Sequence, residues 1–161
     1  MMCFDLGGPV NKAAYLFATA GLAANNPAAW HVMAAVMATG MVPPLAMALA
    51  TTVRKRLFTE SEIENGRAAW LLGASFISEG AIPFAAAAPL RVIPSMMLGG
   101  AVTGAVSMAM GVGSRAPHGG IFVFFAIQNV VGFIVAILAG MVVGAASVIA
   151  LKSLKKQPVA A

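Results

Sequence analysis

Four short clusters hold the side chains of this sequence that could do chemistry away from its basic loop and tail. They are Asp5-Leu6-Gly7-Gly8-Pro9-Val10-Asn11-Lys12, Glu79-Gly80-Ala81-Ile82-Pro83-Phe84, Arg91 after Pro89, and Arg115-Ala116-Pro117-His118-Gly119-Gly120. Each joins a charge or an imidazole to proline, and all but the third to glycine as well, residues that unwind helices and expose backbone groups. A carboxylate such as Glu79 accepts two hydroxyl bonds and can take a proton, which suits a general base or an orienting acceptor. Asn11 can both donate and accept, while Lys12, Arg91 and His118 can orient a polar ligand or screen an anionic group. Structural readings stand beside these. Asp5 and Lys12 could neutralise each other, Glu79 could pair with Arg91 or Arg115, and His118 could be an interfacial histidine. His31, next to Trp30, reads as interfacial.

The elements that position these clusters lie in a membrane. Of 161 residues, 60% are hydrophobic and 9% charged, and the mean hydropathy is +0.91. Soluble domains carry roughly 25% charged residues, so little of this chain can face water. Ionisable groups at membrane depth are costly, which makes each cluster a functional candidate. The net charge of +5 does not point to nucleic acid, because no basic stripe with interleaved aromatics exists. Instead Arg54-Lys55-Arg56 and Lys152 with Lys155-Lys156 each follow a long apolar run, as cytoplasmic flanks do. The single cysteine, Cys3, excludes an intrachain disulfide, and no metal or cofactor site is expected. The Met-rich faces read as packing.

The apolar runs predict an all-α membrane protein with about five transmembrane segments and re-entrant hairpins. A re-entrant element is expected over 5–27, a span over 28–53, a cytoplasmic loop over 54–66 and a helix plus re-entrant hairpin over 67–94. A span over 95–114, a broken segment over 115–129, a span over 130–151 and a cytoplasmic tail over 152–161 follow. Pro43-Pro44 must kink or break the first span, their freed carbonyls being satisfied by neighbouring protein or water. Thr59 and Glu62 form a capping box, with the helix reaching about Ser78 and the broken stretch running to Pro94. Gly100 and Gly104 offer a small-residue face to another helix. The run from Ala116 to Leu151 would measure ~54 Å as one helix, too long for a single crossing, so it is divided near Gln128-Asn129. If both basic clusters are cytoplasmic, four crossings between them keep the parity even. Gly111-Val112-Gly113-Ser114-Arg115-Ala116 matches a dinucleotide fingerprint only formally, since it follows an apolar helix and Pro117 blocks the next one.

The clusters resemble blocks of the fructose-family enzyme IIC of the bacterial phosphotransferase system. DLGGPVNKAAY (Asp5–Tyr15), GMVPP (Gly40–Pro44), EGAIPF (Glu79–Phe84), PLRVIPS (Pro89–Ser95) and APHGGIFV (Ala116–Val123) occur in family order and cover nearly the whole chain. The resemblance implies the transport-domain, C-terminal half of a sugar permease in the bacterial cytoplasmic (inner) membrane. It implies uptake of fructose or a related sugar, phosphorylated to fructose 1-phosphate from a phosphocysteine on a IIB partner. A complete permease would thus be a protein-phosphocysteine–D-fructose phosphotransferase, and a homodimer. Glu79 would be its catalytic residue, with Asp5, Asn11, Lys12, Arg91 and His118 joining it at the sugar. The sequence departs from the family at Ala88, where aspartate is usual, and begins about halfway through the family's membrane domain. A missing N-terminal IIC half is therefore expected as a partner. A non-phosphorylating carrier and a nonfunctional truncated remnant are the competing readings.

Overall fold

Helix starts follow local capping chemistry. The computed structural model describes residues 1–154, and Lys155 and Lys156 lie outside that range. Helix α1 (Pro9–Ala23) begins on a proline at its first position, and α2 (Pro27–Val53) repeats the device behind Asn26. The Asn26 side chain accepts a bond from the Ala28 amide at 3.0 Å. Helix α3 (Glu60–Ala74) carries the full capping box, Thr59 accepting from the Glu62 amide and Glu62 from the Thr59 amide. A 3₁₀ turn (Ser78–Ala81) and the short α4 (Ile82–Ala87) then lead to α5 (Pro89–Ala109). After α5, the two-residue strands β1 (Gly113–Ser114) and β2 (Ile127–Gln128) pair antiparallel around a 3₁₀ segment (Gly120–Ala126). Helix α6 (Val130–Ser153) closes the described chain. Its N-cap Asn129 accepts from the Gly132 amide and donates to the Met110 carbonyl at 2.8 Å, joining the end of α5 to the start of α6.

Several boundaries differ from the sequence reading. Three helices among the described residues are long and apolar enough to span, α2, α5 and α6, where about five segments were expected. At 15 residues each, α1 and α3 reach only ~22 Å. Helix α3 begins inside the expected loop 54–66 and stops four residues before Ser78. The break after Glu79 ends at Ala88, not Pro94, because Pro94 sits within α5 and removes only one bond near its first turn. The expected span 95–114 thus starts at Pro89 and ends at Ala109. Lys152 belongs to α6 and not to a tail. Pro43 and Pro44 do not break α2, which runs through both.

Helix α2 is the centre of the packing. In its most apolar window 72% of residues are buried, against 39% in α5 and in α6. Lipid offers no hydrophobic drive between helices, so close approach and hydrogen bonding must hold them together. Small residues supply that approach. A methyl group on Gly99 would come 2.6 Å from the Gly140 carbonyl oxygen, which sets α5 against α6. Gly100, expected to face a helix, faces Thr39 of α2 together with Cys3 of the N-terminal loop.

The direction of each helix follows from these contacts. Gly99 meets Gly140 and Ser95 meets Gly144, so α5 and α6 run antiparallel. Gly66 meets Thr51 and Gly73 meets Leu45, so α3 runs back along α2. At one end Lys152 Nζ lies 2.7 Å from Glu62 Oε1 and 4.0 Å from the centre of the Phe58 ring. That end also holds Arg54, Lys55 and Arg56, all exposed. The chain therefore leaves this end at α3, turns back near Phe76 and returns to it by the start of α5. Two crossings, α5 and α6, satisfy the parity for which four were expected.

Two predictions follow from this end of the bundle. Single cysteines at Ser61 and Ser153, in a Cys3→Ser background, are expected to label from the same side of the membrane, and opposite labelling would refute the arrangement. Both side chains of the Glu62–Lys152 pair are only 9% exposed. Lys152→Met should strand the carboxylate and cost about 3 kcal/mol in unfolding stability, with most of it regained in Glu62→Gln/Lys152→Met.

Candidate functional site

The candidate site assembles where three loops reach the middle of α2. Phe76 packs at Gly40, midway along that helix, and a methyl group on Gly40 would run into its ring. Phe76 holds φ at +65°, a left-handed conformation that costs a bulky residue about 1–3 kcal/mol and persists only under surrounding constraint. The constraint is visible. The Ser78 hydroxyl donates to the Gly40 carbonyl at 2.8 Å, and the Phe76 ring lies 5.1 Å from His118 and 6.2 Å from Tyr15 of α1.

The second loop comes from the opposite end of the bundle. There His31 Nδ1 lies 2.9 Å from the Val112 carbonyl oxygen, and the Arg115 guanidinium sits 4.4 Å over the Trp30 ring. From that anchor the chain reaches in to His118–Gly120 and returns to β2. Gly120, at φ +57°, presses so closely on Ala74 and Phe76 that any side chain would overlap their backbone. The tips of the two loops therefore meet at mid-depth, as discontinuous elements do in transporter sites.

The third loop is the N-terminal Asp5–Gly8 turn. Gly7, at φ +107°, lies against Glu79, and a methyl group there would sit 2.6 Å from Glu79 Oε1. Glu79 is exposed, and among the described residues nothing bonds to its carboxylate. The pairing of Glu79 with Arg91 or Arg115 does not form, since the one ion pair among the described residues is Glu62–Lys152. Asp5 does not pair with Lys12 either. Its carboxylate accepts from the Val10 and Asn11 amides at 2.6 and 2.9 Å, capping α1. Asn11 is buried and donates to the Met2 carbonyl at 2.6 Å, which ties down the N-terminus. Lys12 and His118 are exposed, and Arg91 is half-buried at the start of α5.

The structure thus brings Glu79, the Asp5–Gly8 turn and His118 into one neighbourhood, while among the described residues no side-chain hydrogen bond or ion pair ties Arg91 to it. Asp5 and Asn11 hold the backbone there. Sequence reasoning passed over Tyr15, Phe76 and Ser78, and only Pro43-Pro44 signalled that donors must come to α2. An apolar cleft of about 270 Å³, lined in part by Met1, Met2, Val32 and Met108, contains none of the charged candidates. Ala88, where the resemblance implies aspartate, is the N-cap of α5 and lacks a side-chain cap. Asp5→Ala is expected to lower unfolding stability by about 1 kcal/mol through the lost cap. An unchanged thermal midpoint would contradict that role.

No family profile and no solved structure matches the chain. Curated relatives do. It is 56% identical over 146 residues to the PTS system fructose-specific EIIB'BC component of Escherichia coli, covering 89% of the chain and 25% of that protein. It is 49% identical over 152 residues to the fructose-specific EIIC component of Haloferax volcanii, covering 94% of the chain and 40% of that protein. It is 48% identical over 143 residues to the fructose-specific EIIABC component of Bacillus subtilis, covering 89% and 22%. The chain therefore spans between a fifth and two-fifths of the length of these relatives. With three spanning helices and half-identity across most of its length, this multi-pass membrane chain belongs to the fructose-specific enzyme IIC family of the phosphotransferase system.

Proposed function

We propose that the chain is the sugar-translocating segment of a fructose-type phosphotransferase permease in the bacterial inner membrane, with Glu79 as its sugar-facing carboxylate. One observation supports this above the others. Glu79 is exposed at the meeting point of two re-entrant loops, level with the middle of a spanning helix and without a bonding partner among the described residues. An unpaired carboxylate at that depth is costly unless a polar ligand or water reaches it, which is what a sugar path provides.

The chemistry asks little else of the protein. Glu79 accepts the attacking sugar hydroxyl and takes its proton as that oxygen bonds to phosphorus. The P–S bond of a IIB phosphocysteine breaks, and the thiolate leaves with the IIB partner. In this reading His118 and Lys12, both exposed, orient the sugar or screen the incoming phosphate. Arg91 acts further out, toward the start of α5. The N-terminal IIC portion, and a second copy of the complete permease, supply the surface against which this segment moves.

Glu79→Gln in a complete permease carrying this segment keeps the side chain's size but removes the base. It should abolish sugar phosphorylation while leaving membrane insertion intact. Near-normal fructose 1-phosphate formation would remove Glu79 from the mechanism.

A further inference from the structure

The turn that carries Glu79 docks on α2 around Gly40 and Pro44. Gly40 receives both the Phe76 ring, which fills the space its side chain would need, and the Ser78 hydroxyl, bonded to its carbonyl at 2.8 Å. That carbonyl is available because Pro44, four residues on, has no N–H to offer it. Gly80, just past Glu79, packs on Pro44, where a methyl group would lie 3.2 Å from the proline ring. Glu79 is thus bracketed by residues docked on α2, and its carboxylate is the exposed member of the turn.

We infer that Phe76 and Ser78 are positioning residues that clamp this turn onto Gly40 and so fix the direction of the Glu79 carboxylate. The inference rests on Glu79 being the sugar-facing group. Neither residue need touch the sugar: Phe76 is buried at 6% exposure and Ser78 at 4%. Phe76 sets the location of the turn through its fit to the glycine notch. Ser78 sets its rotation through the hydrogen bond. A serine next to a catalytic carboxylate could be a packing residue alone, but its donor is matched to the carbonyl that a proline has left open. Threonine keeps that donor, and alanine does not.

The test uses a complete fructose permease carrying this segment, with kcat and KM for sugar phosphorylation measured beside the folded fraction. Ser78→Ala should raise KM about five-fold, the loss of one hydrogen bond, and Ser78→Thr should restore it to within about two-fold. A loss of folded protein alone would lower kcat at constant KM. Gly40→Ala should displace the Phe76 ring and suppress turnover, and adding Phe76→Leu should recover part of it. Wild-type KM and kcat in Ser78→Ala, or a Gly40→Ala defect that Phe76→Leu leaves untouched, would overturn the clamp. Those results would leave Glu79→Gln inactive, so they differ from failure of the underlying reading. Full turnover by Glu79→Gln would overturn that reading and the clamp with it.

Discussion

Two carbonyl groups halfway along α2 organise this structure. Pro43 and Pro44 have no N–H, so the carbonyls of Thr39 and Gly40 lose the donors that a regular helix would give them. Leaving such groups bare in a nonpolar interior costs several kcal/mol each. The chain brings in two donors from outside the helix. The Cys3 thiol lies 3.5 Å from the Thr39 carbonyl, and the Ser78 hydroxyl lies 2.8 Å from that of Gly40. One belongs to the N-terminal loop and the other to the turn before Glu79. The proline pair therefore acts as a double socket, and the loops that form the candidate site plug into it.

The rest of the bundle keeps that socket at mid-depth. Helix α3 lies antiparallel on α2 through Gly66 and Gly73, and its N-terminus is tied to the end of α6 by Glu62 and Lys152. Its length of 15 residues then places the following turn beside Gly40 and no further. From the other end, His31 and Trp30 hold the base of the loop that carries His118. Neither the Asp5–Gly8 turn nor the His118 loop could come so close with larger residues at its tip, since Gly7 and Gly120 both combine positive φ with contacts that leave no room for a side chain.

How much of this was legible depended on whether the determining interaction was local. The Thr59–Glu62 box and the division near Asn129 were legible, because caps are written in adjacent residues. The four polar clusters stood out because charges beside glycine or proline are conspicuous in an apolar chain, and three of them meet in the structure while Arg91 does not join them. Longer-range facts were not legible. Proline at 43 and 44 predicts a break only until tertiary donors are known, and Cys3 and Ser78 lie 36 and 38 residues from their acceptors. The left-handed Phe76 has no sequence signature, because a phenylalanine adopts that conformation only where its surroundings compel it. Asp5 and Asn11 looked like ligand groups by type, yet backbone amides and a carbonyl already occupy them.

The double socket also bears on how the chain is built. Cys3 precedes α2 in the sequence, so its thiol is already present when the ribosome delivers that helix to the membrane. The Ser78 hydroxyl comes 38 residues after Gly40, a delay of about 2–8 s at ordinary rates of synthesis. During that interval the Gly40 carbonyl lacks the donor that serves it in the folded chain. Newly inserted α2 is thus an unfinished helix, competent to cross the bilayer but not to settle in it. Its completion waits for the residue that stands next to Glu79.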